Sequence, residues 1–276
     1  MREVLVVIGA GGMGEAIARR SGAGKDVLLA DFSTSTLDRA AATLRGEGYS
    51  VTVRQTDVAS CGSVADLAEC ATSLGSVTQV VHTAGLSPVQ ADAASVLRVD
   101  LLGVAHSLEQ FGKVIESGGS GVVISSMAGW FAADQITPEV ESALATAPSD
   151  KLLSVPAVST LQSPQAAYGL AKRGNQVRVE AASVEWGRRG GRVNSVSPGV
   201  VSTPMGQDEM SGESGASMRE MIAASGTGRI GTTTDIAEAV AFLLGPGSTF
   251  ITGSDLRVDG GVVASRRAGA SVPAAR

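Results

Sequence analysis

The sequence predicts a single α/β domain built on a doubly wound parallel sheet, and three observations carry that prediction. Short apolar runs alternate with helical patterns along the chain, which gives right-handed βαβ units with helices on both faces of a parallel sheet. A buried-strand pattern, Val4-Leu5-Val6-Val7-Ile8, runs directly into Gly9-Ala10-Gly11-Gly12-Met13-Gly14. With 276 residues, 43% of them hydrophobic, the chain is long enough to bury a sizeable core.

The first unit identifies a ligand class. Five consecutive apolar residues fit a strand covered on both faces, and the glycines after it let the backbone turn tightly and approach a ligand. Glu15 to Arg20 reads as the start of a helix. Its free N–H groups and partial positive charge suit a pyrophosphate, so Gly9, Gly11, Gly12, Met13 and Gly14 form a dinucleotide cradle of the Rossmann type. A second strand, Val27 to Ala30, ends at Asp31, about 20 residues on, where a carboxylate accepts from ribose hydroxyls. It would repel a 2′-phosphate, and Phe32 and Ser33 offer no cation to hold one. NAD rather than NADP is the expected cofactor.

Composition narrows the partners. A net charge of −5 without a basic run argues against nucleic acid. The first apolar run stops at Gly9, too short for a signal-peptide core or a membrane span, so a cytoplasmic protein with no membrane partner is expected. Cys61 and Cys70, nine residues apart on one predicted helix, read as packing residues. His82 and His106 are the only histidines and have no cysteine or carboxylate cluster near them in sequence, so no metal is expected.

The remaining elements follow in order. Helices are expected near 33–47, 60–74 and 91–117, with strands near 50–55, 78–82 and 121–125. Asp57-Val58 closes the third strand, where adenine would lie; capping of the helix beginning near Ser60 is an equal alternative for the aspartate. Val80-Val81-His82-Thr83-Ala84-Gly85 ends a central strand in small residues that leave room for ribose and nicotinamide. Val122 to Ile124 delivers Ser125 and Ser126 to the same edge. Tyr168 and Lys172 then stand at i and i+4 on one helix face. A free tyrosine, with pKa near 10, is a poor base at neutral pH, and a nearby ammonium favours its phenolate.

From Val4 to Val263 the chain resembles the short-chain dehydrogenase/reductase family. The glycine turn, Ser126, Tyr168-x-x-x-Lys172, Arg192 to Thr203 and Ile251 to Gly261 occur in the family's order. The resemblance implies seven strands in the order 3-2-1-4-5-6-7 and one domain over residues 1–264. It implies that Ser126 polarises the substrate oxygen, that Tyr168 is the acid/base, and that Lys172 lowers its pKa and holds the nicotinamide ribose. Asp57 and Val58 would contact adenine, Ala84 and Gly85 would border the cofactor, and Pro198, Gly199, Val201 and Thr203 would line it, the last two at the carboxamide.

Four departures mark this chain. Gly9, Gly12 and Gly14 are spaced one residue closer than the family's G-x-x-x-G-x-G. His82-Thr83-Ala84-Gly85 replaces Asn-Asn-Ala-Gly. Asp100 stands where an asparagine usually anchors a proton-relay water, and it is the candidate for that place. Residues 132–163, with Pro138, Pro148 and Pro156, lengthen the stretch between Ser126 and Tyr168, and could serve as a lid, an oligomer contact or a solvated excursion. A substrate loop is expected over 204–228, where Met205, Met210, Met218 and Met221 either meet an apolar substrate or form the buried face of a short helix. Residues 265–276 read as a loose tail.

Together these give an NAD-dependent oxidoreductase interconverting a secondary alcohol and a ketone, with an apolar or steroid-like substrate. A dinucleotide-sensing protein without catalysis is the alternative. An epimerase or dehydratase would want a longer C-terminal substrate domain. A homodimer or homotetramer is expected, because the family's helices at 91–117 and 164–189 pair between subunits. On those helices Val96, Leu108, Phe111, Val177, Val179 and Trp186 are read as outward-facing.

Overall fold

In the computed structural model, which describes residues 2–212 and 214–269, seven parallel strands form one sheet in the order β3-β2-β1-β4-β5-β6-β7. They are β1 (Glu3–Ile8), β2 (Asp26–Asp31), β3 (Ser50–Gln55), β4 (Ser76–His82), β5 (Ser120–Ile124), β6 (Arg192–Pro198) and β7 (Asp255–Val258). The strand order reverses between β1 and β4, so a crevice opens at their carboxyl ends. Period two sorts β1 into two layers: Leu5 and Val7 join one core, and Val4, Val6 and Ile8 the other.

On the N-terminal half the helices are α1 (Gly12–Ser21), α2 (Thr34–Gly46) and α3 (Cys61–Leu74). Ser33 caps α2 by accepting from the Thr36 N–H, and Ser60 caps α3 by accepting from the Ser63 N–H. The expected long helix divides into α4 (Ala93–Val96), a π-helical stretch at Leu97–Leu102 and α5 (Gly103–Phe111). It stops six residues short of 117, with Gly112 as its C-cap, and Gly118 beyond takes a positive φ of 82°. Asp100 lies inside the π stretch, a distortion that recurs at functional sites.

After α6 (Met127–Ala133), residues 132–163 fold into α7 (Pro138–Thr146), α8 (Ser149–Leu152) and α9 (Pro156–Ser159), ahead of α10 (Pro164–Arg188). Pro138, Pro156 and Pro164 each open a helix, where a missing N–H costs nothing. Leu144, Leu152 and Val158 are buried against Val96 and Leu101 on one side and Ala167, Ala171 and Val177 on the other. The segment therefore covers the groove between the π-helical region and α10, and it is not a solvated excursion.

This packing corrects the outward assignment of six residues. Val96, Leu108, Phe111, Val177, Val179 and Trp186 are all buried, none more than 8% exposed. Val96 and Val177 lie under the inserted helices, while Leu108, Phe111, Val179 and Trp186 belong to the core beneath the sheet. Trp186 also donates from Nε1 to the Leu108 carbonyl at 3.1 Å.

Arg178, itself buried, fastens the insert from below: its Nη1 donates to the carbonyls of Leu144, Ala145 and Ala147 at 3.1, 3.3 and 3.0 Å. These are orphan acceptors at the end of α7. Arg178→Met should leave them unpaired at a local loss of roughly 1–3 kcal/mol. Amide exchange in 138–158 should then speed by tenfold or more while the β1 amides stay protected. Unchanged exchange in the insert would show that Arg178 does not hold it.

The C-terminal half adds α11 (Pro204–Ser211), α12 (Gly215–Ala224), α13 (Thr233–Leu244) and α14 (Val262–Arg267). Thr232 and Asp235 form a reciprocal capping box on α13. Met218 is buried, whereas Met205, Met210 and Met221 are half-buried. The segment expected to be a loose tail begins inside α14, where Arg266 lies 4.3 Å from the Phe131 ring centre; residues 270–276 lie outside the described residues. Among the described residues no helix is long and apolar enough to cross a membrane, and no group of three or more metal-ligating side chains occurs.

Candidate active site

The crevice at the strand reversal is a cleft of about 670 Å³. Gly9, Gly11, Gly12, Met13, Gly14, Asp31, Phe32, Asp57, Val58, Ala84, Gly85 and Thr203 line it, as the sequence places them. The shortened glycine spacing is accommodated by contacts too close for side chains. Gly9 has φ +102°, and a Cβ on Gly14 would stand 1.9 Å from the Gly9 carbonyl oxygen. Thr83 donates to that same carbonyl at 2.7 Å. Nothing lies within 4 Å of the Cβ position of Gly11, so the turn is open toward the cleft. Asp31 braces it, accepting from the Ala10 N–H at 2.8 Å and the Ser33 N–H at 2.9 Å.

Other predictions are corrected in part. Asp57 does not cap α3, a role taken by Ser60; it accepts instead from the Ala59 N–H at 2.9 Å. Pro198, Gly199 and Val201 are not among the cleft's lining residues. Gly199 donates to the Val258 carbonyl at 3.0 Å and Val201 pairs with Gly231, so this segment ties β6 to its neighbours. Sequence reasoning passed over Arg39 and Arg98, which line the cleft with Thr36 and Thr56. The signal for Arg39 is its position eight residues past Asp31, on α2 and beyond the residues that adjoin the acid.

Three elements converge beside the cleft, next to its lining residue Gly85, although Ser126, Tyr168, Lys172 and Asp100 are not themselves among the cleft's lining residues. Ser126 follows β5 and caps α6, its Oγ accepting from the Ala128 N–H at 3.1 Å. Ser125 donates to the Lys172 carbonyl at 2.7 Å, locking β5 to α10. Gln176, one turn beyond Lys172, donates to Ser197 Oγ at 2.9 Å and the Ser126 carbonyl at 3.4 Å. Lys172 Nζ lies 5.2 Å from the centre of the Tyr168 ring and 3.0 Å from Asp100 Oδ2. Asp100 Oδ1 accepts from the Leu86 N–H at 2.7 Å.

The electrostatics depart from a simple tyrosine–lysine pair. Burial pushes the Tyr168 phenol above its ordinary value; Lys172 and a hydrogen bond with Ser126 pull it down, but Asp100 and Glu209 add to the rise. Burial opposes the Lys172 ammonium, yet Asp100 and Tyr168 together hold its pKa above the usual lysine range. Asp100 thus favours the charged ammonium of Lys172 and shares its field, while burial favours the neutral phenol of Tyr168.

The histidines are structural. His106 Nδ1 contacts the Val58 carbonyl at 3.0 Å, and His82 Nδ1 contacts Ser107 Oγ at 2.9 Å. Burial, followed by the Lys172 charge, lowers the His82 pKa to about 3. The folded state therefore binds fewer protons than the unfolded state below about pH 6.5, so stability falls as pH drops through that value toward 3. Between pH 7 and pH 5 the loss from this group should be about 2 kcal/mol. Urea unfolding of wild type and His82→Asn at both pH values measures it, and an undiminished pH dependence in the variant would assign it to other groups.

Comparison with known proteins establishes the family. Residues 2–138 match the family model described as short chain dehydrogenase, and residues 152–263 match the one described as Enoyl-(Acyl carrier protein) reductase. The chain is 45% identical over 269 residues to the short-chain dehydrogenase/reductase bsc3 of Alternaria brassicicola, covering 95% of this chain and 96% of that protein. It is 30% identical to the D-threitol dehydrogenase of Mycolicibacterium smegmatis, with 93% and 91% covered. The solved levodione reductase superposes with a TM-score of 0.75 at 24% identity, over 95% of this chain and 98% of that one. The chain belongs to the short-chain dehydrogenase/reductase family. It is an oxidoreductase on a fold that takes a nicotinamide dinucleotide.

Proposed function

We propose that this protein is an NAD-dependent oxidoreductase interconverting a secondary alcohol and a ketone, with Tyr168 as acid/base. The observation that carries the reading is the grouping of Ser126, Tyr168 and Lys172 at the carboxyl edge of the sheet beside a glycine turn open for a pyrophosphate. The open position at Gly11 and the bare N-terminus of α1 fit a dinucleotide without any basic side chain. When bound, the nicotinamide supplies a hydride acceptor or donor. Tyr168 takes the hydroxyl proton in oxidation and returns it in reduction, Ser126 donates to the substrate oxygen, and the Lys172 ammonium stabilises the phenolate as it forms. The half-buried Met205 and Met210 support an apolar body on the substrate.

Asp31 supports NAD, while Arg39 and Arg98 are the groups that would favour NADP. Fluorescence titration should show NADH bound at least about tenfold tighter than NADPH, and tighter NADPH would overturn the preference. The non-catalytic alternative has one observation in its favour, the Asp100–Lys172 pair, and any NADH formed with a secondary alcohol eliminates it. A cytoplasmic homo-oligomer remains part of the proposal, supported now by the exposed Phe250 and Leu256 at the β7 edge rather than by α5 and α10. Light scattering at a monomer mass of 27.7 kDa would refute the oligomer.

A further inference from the structure

A line of hydrogen bonds joins the inserted helices to the catalytic serine, and proton transfer does not use it. At its centre is Gln176, buried on α10. Its Oε1 accepts from Arg173 Nη1 at 3.0 Å, and Arg173 Nε donates to Glu141 Oε1 on α7 at 2.6 Å. On the other side its Nε2 donates to Ser197 Oγ at 2.9 Å and, at the longer distance of 3.4 Å, to the Ser126 carbonyl. Ser197 Oγ passes its own proton to Asp255 Oδ1 at 2.9 Å.

The two ends fix the direction of every bond between them. A guanidinium only donates and an ionised carboxylate only accepts, so Arg173 turns the Gln176 oxygen toward itself and Asp255 claims the Ser197 proton. The Gln176 amide nitrogen is left with one N–H for Ser197 and one for Ser126. Burying an amide is costly unless its polar atoms are met, and here each finds a partner.

The approach to α6 is close. A Cβ on Gly129, in the first turn of α6, would stand 2.9 Å from Gln176 Nε2 and 2.8 Å from the Arg173 backbone nitrogen. The Ser126 carbonyl that Gln176 reaches also accepts from the Gly129 N–H at 3.1 Å, while Ser126 Oγ accepts from the Ala128 N–H. Carbonyl and Oγ belong to one residue, so holding that peptide limits where the serine hydroxyl can point.

We propose that Gln176 is a positioning residue for Ser126, and that Arg173 and Glu141 extend its support to the insert. The insert then steadies the reaction centre as well as covering the groove beside α10. This rests on the reading of Ser126 as donor to the substrate oxygen.

The test measures kcat and NADH affinity with the ketone turned over fastest among cyclohexanone, 2-butanone and androstanedione. Gln176→Met and Glu141→Ala are each made in wild type and in Ser126→Ala. In wild type, Gln176→Met should lower kcat about tenfold and leave NADH affinity within about twofold. In Ser126→Ala the same change should cost less than about twofold, because the group it positions is gone. Glu141→Ala should lower kcat about threefold in wild type and have little effect once Gln176→Met is present, whereas Glu141→Gln, which keeps an acceptor for Arg173, should retain most activity. Equal losses in the two backgrounds would make Gln176 merely structural and overturn the proposal, as would wild-type kcat in Gln176→Met. If Gln176→Met does not fold, Glu141→Ala decides: equal effects with and without the Ser126 hydroxyl refute the link. A deep loss in Ser126→Ala with none in Gln176→Met removes the positioning role and leaves the alcohol–ketone reading standing. Full activity in Ser126→Ala, or bound NADH with no ketone turned over, removes both.

Discussion

Tyr168→Phe is expected to lower turnover by at least ~10²-fold while leaving dinucleotide affinity nearly intact. The substitution removes only the hydroxyl and keeps the ring beneath the Lys172 ammonium, so the Lys172–Asp100 pair and the walls of the cleft stay as they are. The loss should appear in kcat, with little change in the NADH titration. Because burial favours the neutral phenol of Tyr168, alcohol oxidation by wild type should rise with pH as the phenolate forms, whereas ketone reduction should decline over the same range. A phenylalanine variant retaining most of its activity would place the proton transfer elsewhere.

Lys172→Met should be the most damaging single change. It leaves Asp100, which has no exposed surface, without its counter-ion. Breaking a buried pair from one side costs about 3–5 kcal/mol, and turnover should be lost with it. Since burial already pushes the Asp100 carboxyl upward, protonation offers it an escape, so the deficit should shrink as the pH falls. Pairing the change with Asp100→Asn removes the stranded charge: urea unfolding should recover most of the lost stability, and activity should stay absent. If Lys172→Met unfolds at the wild-type urea concentration, Asp100 is not ionised in the folded protein.

The parts of the molecule legible in the sequence were those set by short-range rules. The glycine turn, the acid after the second strand, the alternation of elements and the Tyr168–Lys172 spacing each follow from local geometry, and the seven-stranded sheet bears out the alternation. What escaped depended on contacts between distant segments. Val96 and Val177 look outward on an isolated helix; they are buried because Leu144, Leu152 and Val158 return to cover them, and no helical periodicity contains that information. Phe111 and Trp186 differ in cause: both pack into the core against the sheet, so the side of these two helices that carries them is the inward one. The brake that Asp100 exerts on Tyr168 also needs three dimensions, because residues 100, 168 and 172 meet only through the π-helical stretch and α10. The hydrogen bond between Ser87 and Glu209 could not be read from sequence at all, the two being 122 positions apart.

The edge strand β7 has a consequence for the order in which the site can mature. Asp255, its first residue, accepts from the hydroxyls of Ser195 and Ser197 at 2.6 and 2.9 Å and from Trp130 Nε1 at 2.7 Å. Ser197 in turn receives Gln176, which reaches the Ser126 carbonyl. During synthesis, Ser126, Tyr168 and Lys172 all leave the ribosome well before residue 255, yet the hydroxyls behind them have no acceptor until it arrives. A nascent chain halted at residue 250 would carry Ser126 at the head of an α6 not yet fastened through Asp255, with Tyr168 and Lys172 on α10, so competence to turn over substrate should appear only as β7 pairs with β6.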